Sequence, residues 1–355
     1  MQVIEQWRAQ VLEAAAAKRP LRIRGGGTKD FYGQALDGDI LDTRAYSGII
    51  DYEPTELVIT ARCGTPLVEI DAALSAHKQM LAFEPPHFGA GATFGGVIAS
   101  GLSGPRRATS GAVRDFVLGA VLMDGAGQVL TFGGQVMKNV AGYDVARLLA
   151  GSMGTLGLML QHSVKVLPRT RVEATLRFAF SEIDALRQLN IWGGMPLPIS
   201  ASCWHGDVLT LRLSGATAAV DAAVKNLGGE LLPDAAAFWT DVREQQHPFF
   251  AGDAPLWRLS VPSATSALIL PGRQLIEWGG ALRWLKGDVD AATIRRSVTA
   301  AGGHATLFRG GDKTVGVFQP LVPPIERIHQ RLKTSFDPAH IFNPGRMLAH
   351  ANQSR

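Results

Sequence analysis

The sequence predicts an α+β protein in two main parts, on three observations. The chain opens as helix, strand, strand, strand, helix, with glycine-rich loops between elements. From about residue 171 it changes to a β-α-β-β-α order, which suits a smaller antiparallel sheet with helices on one face. Its 355 residues exceed one average domain, so two are expected. The divisions fall at 1–170, 171–319 and 320–355, the last segment returning to the first part.

Val3, Ile4, Trp7, Val11 and Leu12 recur at helical spacing and end near Pro20, giving an amphipathic opening helix. Pro20-Leu21-Arg22-Ile23 reads as a strand, Ile40-Leu41-Asp42 as another, and Asp51-Tyr52-Glu53-Pro54 as a turn. Leu57 to Ala61 is a strand of β-branched and apolar type. Thr65-Pro66 reads as an N-cap and first helical residue, with Leu67, Ile70 and Leu74 as the buried stripe. Val117 to Met123 and Gln128 to Phe132 form a hairpin across Asp124-Gly125. Lys138 to Asp144 leads into a short helix, and a strand runs from Leu158 to Leu167.

In the second part Arg171 to Phe180 alternates as a strand, and Ser181 caps a helix carrying Ile183, Leu186 and Leu189. Ser200 to His205 pairs with Val208 to Leu213 across Gly206-Asp207, and Thr217 to Leu227 is a helix ended by Gly228-Gly229. Further strands are Leu256 to Val261, Gln274 to Glu277, Ala281 to Leu285 and His304 to Phe308, with a helix from Asp290 to Ala301.

Composition narrows the function. Charged residues are 19% and hydrophobic ones 46%, ample for a core and against general disorder. The net charge of +4 is mild and its Lys and Arg are scattered, so no nucleic-acid footprint is present. Two distant cysteines, Cys63 and Cys203, fit a reducing compartment and are too few for an iron–sulfur cluster, which needs about four thiolates. Glu5 and Glu13 argue against a signal peptide. No apolar run approaches the ~20 residues of a membrane span.

Three glycine clusters carry the functional signal. In Arg24-Gly25-Gly26-Gly27-Thr28-Lys29 the glycines permit φ > 0 and carry no Cβ, so their N–H groups can turn toward one anion. Thr28 adds a hydroxyl donor, and Arg24 and Lys29 add rim charge; a diphosphate suits such a nest. Alone, an ordinary glycine turn is the better reading. Thr93-Phe94-Gly95-Gly96 opens a helix whose small residues admit a flat or bulky group, or merely pack tightly on a sheet. The third cluster is Gly151-Ser152-Met153-Gly154-Thr155-Leu156-Gly157. The chain has no GxGxxG between strand and helix and no P-loop, which argues against a nicotinamide enzyme or NTPase.

These clusters, in this order and spacing, resemble the FAD-binding domain of the vanillyl-alcohol-oxidase/PCMH flavoprotein superfamily, and Asp337 to Arg346 resembles its closing segment. Within it the chain is similar to the family of glycolate oxidase (glycolate dehydrogenase) E subunits. Glu84-Pro85-Pro86-His87, Ser103 to Arg107, Lys138 to Asp144 and Gly279 to Trp284 carry that match.

The resemblance implies a PCMH-type FAD-binding domain of two α+β subdomains with a smaller antiparallel cap domain. It implies that Arg24, Gly25, Gly26, Gly27, Thr28 and Lys29 wrap the FAD pyrophosphate. Pro86, Thr93, Gly95 and Gly96 would line the flavin and ribityl chain. Gly154, Thr155 and Gly157 would approach the adenine half, with Gly111 and Asp115 in support and Asn343 near the ring. Some relatives bind flavin covalently through a histidine near the first loop; Gly27-Thr28-Lys29 offers none, so FAD is expected to be non-covalent.

The implied chemistry is oxidation of a small 2-hydroxy acid, glycolate first. The implied partners are a catalytic flavin subunit and an iron–sulfur subunit, in the cytoplasm, with peripheral membrane association through the complex. No metal is expected, because the histidine and glutamate cluster of catalytic relatives is absent and Gly302-Gly303-His304 is isolated. No catalytic residue is assigned. Arg258, Arg283 and Lys286 among Trp257, Trp278 and Trp284 read equally as a carboxylate clamp or as interface stacking. Lys138 and Tyr143 read equally as flavin contacts or loop anchors. The alternative function is a flavin-free assembly subunit.

Overall fold

The computed structural model describes residues 2–134 and 144–347. Lys138 and Tyr143 lie outside the described residues.

Helix Gln2–Ala17 buries Trp7, Val11 and Ala14, while Leu12 turns outward. Strand Leu21–Arg24 pairs in parallel with Asp39–Asp42. The closing segment lies along its other edge: Leu21 N–H donates to the Ile341 carbonyl and Asn343 N–H to the Leu21 carbonyl. Trp7, Val11, Leu21, Leu41, Ile341 and Phe342 close one core with Met123, Leu158 and Leu160. Those three belong to a five-stranded antiparallel sheet, ordered Ile49–Glu53, Val58–Arg62, Leu158–Lys165, Val117–Met123, Val129–Gly133. Its other face packs on Leu67, Ile70 and Leu74 of helix Leu67–Ala76 and on Phe94, Val97 and Ile98 of helix Phe94–Ser100.

Two local readings are corrected here. Asp51 to Glu53 end the strand Ile49–Glu53, an exposed edge, and the turn falls on 54–57. Acidic residues before Pro54 look like a turn, but antiparallel pairing with Val58–Arg62 draws them into the sheet. Thr65 does not cap its helix: Pro66 holds the cap position, and the Thr65 hydroxyl donates to the carbonyls of Arg62 (2.7 Å) and Gly48 (3.2 Å).

The second part is an eight-stranded, wholly antiparallel sheet, larger than the first part's sheet although its share of the chain is smaller. Its order is Glu230–Leu231, Val172–Ala179, Val208–Gly215, Ile199–His205, Arg273–Glu277, Leu282–Lys286, Leu256–Ser260, His304–Arg309. Alternation sorts its faces. Leu176, Leu209, Leu211, Leu213 and Ile276 face helices Glu182–Gly193 and Thr217–Leu227, where Leu186, Leu189, Trp192 and Val220 meet them. Ile183 turns outward instead. Trp257, Leu259, Leu285 and Leu307 face Ile294 and Val298 of helix Ala291–Ala300.

The opposite face meets the first part and also carries helix Ala235–Glu244, so helices occupy both faces, not one. Trp239 of this helix donates to Thr175 (3.0 Å), and the Glu244 carboxylate accepts the N–H groups of His87 and Phe88. Glu84 ties the two parts: its carboxylate pairs with Arg106 (3.3 Å) and with Arg212 (2.9 Å), while Glu173 takes the other side of Arg106. In the closing segment helix Pro323–Phe336 packs Leu332 and Phe336 on the first core. Lys333 then donates to Asp337, to the Thr155 carbonyl and to the Phe342 carbonyl.

Candidate cofactor site

The strand Leu21–Arg24 delivers Gly25 to Lys29 to the seam between the two layers of the first part. There a cavity of about 110 Å³ is lined by Arg24 through Asp30, Thr93, Gly95, Gly96, Cys63, Met153, Gly154, Asn343 and Arg346. Three glycine clusters that are far apart in sequence therefore share one wall.

Among the described residues no protein acceptor takes the backbone N–H of Gly26, Gly27 or Thr28. Successive free N–H groups beside cations are what an anion needs. The cations are not equivalent. Arg24 is no free rim charge: its Nε lies 2.7 Å from Asp30 Oδ2, which also pairs with Arg22 at 2.7 Å. Among the described residues Lys29 donates only to neutral oxygens, the His87 carbonyl (3.1 Å) and Thr28 Oγ1 (3.4 Å). Burial lowers its pKa to about 8, with Glu244 opposing. Arg346 is buried and donates to the carbonyls of Gln34 and Asp30; burial lowers its pKa to about 10. An arriving dianion would raise both pKa values again.

The glycines are also held by crowding. A Cβ on Gly26 would fall 1.4 Å from the Gly91 carbonyl oxygen, and one on Gly25 would fall 2.4 Å from Thr93 Oγ1. Gly95 backs onto Cys63, whose Cβ lies 2.6 Å from the same test position. Gly154 has φ +69°, and its Cβ would meet Asn343 Nδ2 at 2.7 Å. Asn343 stitches the walls together: its Oδ1 accepts Ile23 N–H (2.8 Å) and its Nδ2 donates to the Met153 carbonyl (2.7 Å).

Other sequence-selected residues are placed elsewhere. Pro86 lies at the junction with the eight-stranded sheet, beside Phe88, Arg258, Glu277 and Trp284. Thr155 lines a larger cavity of about 770 Å³ beneath helix Pro323–Phe336, which shares Asn343 and Arg346 with the nest, and its hydroxyl donates to the Ser152 carbonyl. Gly157 packs against Met123 and Leu122. Gly111 and Asp115 are not among the residues lining these cavities. The Asp115 carboxylate accepts Ala112 N–H and closes its own turn. Asp30, Gly91 and Arg346 line or shape the nest without having been selected; Gly91 sits in the run Gly89-Ala90-Gly91-Ala92, a visible signal. Among the described residues no three His, Cys, Asp or Glu side chains gather as a metal would require.

A two-layered first part around a glycine nest, covered by an antiparallel cap, is the architecture of a PCMH-type FAD-binding protein. Residues 2–133 match the family described as FAD binding domain. Among solved structures, an alkyldihydroxyacetonephosphate synthase aligns over 96% of this chain and 75% of its own, with a TM-score of 0.66 at 13% identity, a likeness of fold. The glycolate oxidase subunit GlcE of Escherichia coli (strain K12) is 52% identical over 340 residues, 96% of each chain. GlcD of Bacillus subtilis (strain 168) is 31% identical over 48% of this chain and 36% of its own, and a D-lactate dehydrogenase of Archaeoglobus fulgidus 34% identical over 46% and 37%. The chain belongs to the family of GlcE glycolate oxidase subunits.

Proposed function

We propose that this chain is the FAD-binding subunit of a glycolate oxidase, taking part in the oxidation of glycolate to glyoxylate and passing electrons to an iron–sulfur partner. The observation that carries the reading is the 52% identity to a named glycolate oxidase subunit along 96% of both chains. The free N–H groups of Gly26 to Thr28 beside Lys29 and Arg346 fit the FAD diphosphate. Thr93, Gly95, Gly96 and Gly154 would border the rest of the cofactor. FAD, when bound, supplies a two-electron acceptor; the chain supplies the anion nest.

Non-covalent attachment is part of the proposal. The Cys63 thiol in the seam is held protonated by burial, and the His87 imidazole is turned to Asp71 at 3.0 Å. The division at 170 is supported by the pairing of Leu167–Pro168 back to Gln79–Met80, after which Val172 starts the second sheet. No helix among the described residues is long and apolar enough to cross a membrane; peripheral attachment through the complex remains part of the proposal.

A second reading, a flavin-free assembly subunit, is favoured by one observation: crowding alone explains Gly25, Gly26, Gly95 and Gly154, so their presence does not demand a flavin. Both readings are tested by omitting this chain from the co-expressed complex and by replacing it with Lys29→Gln. Loss of glycolate-driven dye reduction on omission is expected, with partial loss for the variant. A complex that keeps its full rate without this chain overturns the proposal.

A further inference from the structure

The face of the eight-stranded sheet that meets the first part carries charge that nothing in the cofactor reading uses. Arg258 is opposite Trp284 on one neighbouring strand and Thr306 on the other. Glu277 is opposite Leu282, two residues from Trp284. Directly opposed residues share a face, so Arg258, Glu277 and Trp284 all look toward the first part. Trp284 Nε1 donates to Glu277 Oε1 at 2.8 Å and leaves the second carboxylate oxygen without a partner among the described residues.

The Arg258 guanidinium has no ion pair and donates no hydrogen bond among the described residues. Its guanidinium lies 5.2 Å from the Trp278 ring centroid, and that of Arg107, from the first part, lies 4.5 Å from the same ring. The Arg107 guanidinium is likewise without an ion pair or hydrogen bond among the described residues. Neither guanidinium makes a direct ion pair, although Glu277 acts on Arg258 and Asp115 on Arg107 through space; sharing one indole, the two cations repel each other and leave their donors open to an anion. Their neighbour Arg106, by contrast, is paired with two glutamates. The indole is fixed, because Trp278 Nε1 donates to the Gly104 carbonyl at 3.0 Å.

Beside Arg258 lies a cavity of about 20 Å³, lined by Arg258, Glu277, Gln245, Phe88 and Trp284, with Arg107 and Trp278 outside its wall. That is room for about one water, so any occupant is small and displaces a wall. Gln245 is the wall that yields at least cost: it is 9% exposed, and its Oε1 has no hydrogen-bond partner to lose. Phe88 lines this cavity and also lies against Lys29 of the nest, whose Nζ is 5.6 Å from the ring centroid.

We propose that this junction is a binding site for a small 2-hydroxy carboxylate. The carboxylate meets Arg258, with Arg107 adding positive potential, and the hydroxyl donates to the free oxygen of Glu277. Both ends of the ligand are recognised: the guanidinium demands an anion, and the carboxylate acceptor demands a donor beside it. Simple carboxylates such as acetate satisfy only the first. This inference rests on the reading that FAD occupies the neighbouring nest.

The test is calorimetric titration of glycolate, and separately acetate, into the full chain, with its flavin content read beforehand from the visible spectrum. Glycolate is expected to bind more tightly than acetate. Arg258→Gln is expected to weaken glycolate roughly ten- to a hundredfold, the range for a lost charge-assisted hydrogen bond. Glu277→Leu is expected to weaken glycolate but not acetate, a selective change that general misfolding would not give. Equal glycolate affinity in wild type and Arg258→Gln, or no glycolate binding to flavin-loaded wild type, overturns the site. A chain that holds no flavin yet binds glycolate through Arg258 overturns the cofactor reading and leaves the site standing.

Discussion

Replacing Asn343 by Ala removes the stitch between strand Leu21–Arg24 and the loop around Met153. The side chain is 3% exposed, so the Ile23 N–H and the Met153 carbonyl would both be left buried without partners. Each orphaned group costs about 1–3 kcal/mol. Asn343 also sits at φ +40°, where Ala loses about 1 kcal/mol that Asn tolerates. The sum is about 3–7 kcal/mol. At about 2–4 °C per kcal/mol for domains of this size, the apparent Tm should fall by roughly 10–20 °C. Asn343→Asp should do no better, because it keeps the acceptor for Ile23 but turns a carboxylate oxygen toward the Met153 carbonyl. The assay is thermal unfolding of the flavin-free and FAD-loaded chain. An Asn343→Ala protein that melts with wild type when flavin-free, and differs only in FAD retention, would refute the reasoning: the amide would then serve the cofactor, not the fold.

Three further outcomes follow from the same contacts. Lys29→Gln should weaken FAD retention about tenfold, read by equilibrium dialysis. In the wild type, affinity should also fall as pH rises through about 8, where free Lys29 loses its proton; a pH slope unchanged in the variant contradicts this. Burial raises the Glu277 pKa to about 7, with Trp284 opposing. The folded protein then binds the extra proton between the ordinary carboxylate range and 7, so stability falls with rising pH across that window and levels off above it. Glu277→Gln should therefore gain on wild type from pH 5 to pH 8, by on the order of 3 kcal/mol at most; a constant Tm difference would contradict the assignment. Glu84→Gln should loosen the junction, since Arg106 and Arg212 lose a shared partner. Limited proteolysis near residue 170 should accelerate, and an unchanged cleavage rate would place the tie elsewhere.

Much of the element order was legible because periodicity writes it directly. The alternating strands from Val172 to Gly215 and the capped helix after Ser181 needed no tertiary information. Helices Ala235–Glu244 and Pro323–Phe336 went unread, although Pro323-Pro324 followed by Ile325, Ile328, Leu332 and Phe336 is a helical stripe behind a proline start. Their partners lie in the other half of the chain, which sequence spacing cannot supply. The nest itself was legible from three glycine clusters; its electrostatics were not. Arg24 and Asp30 are six residues apart and Arg346 arrives from the far end of the chain, so only the folded chain tells a committed cation from Lys29. The same limit applies to Gly26: Gly26→Val would drive a Cβ into the Gly91 carbonyl and disturb the fold before it tested flavin binding.

The central claim is that this seam holds FAD without a covalent bond. The most direct measurement is the visible absorbance of the purified full chain, before acid precipitation and again in the supernatant afterwards. The account predicts a flavin spectrum that moves entirely into the supernatant. A colourless chain that takes up no added FAD, or a precipitate that keeps its colour, would contradict it.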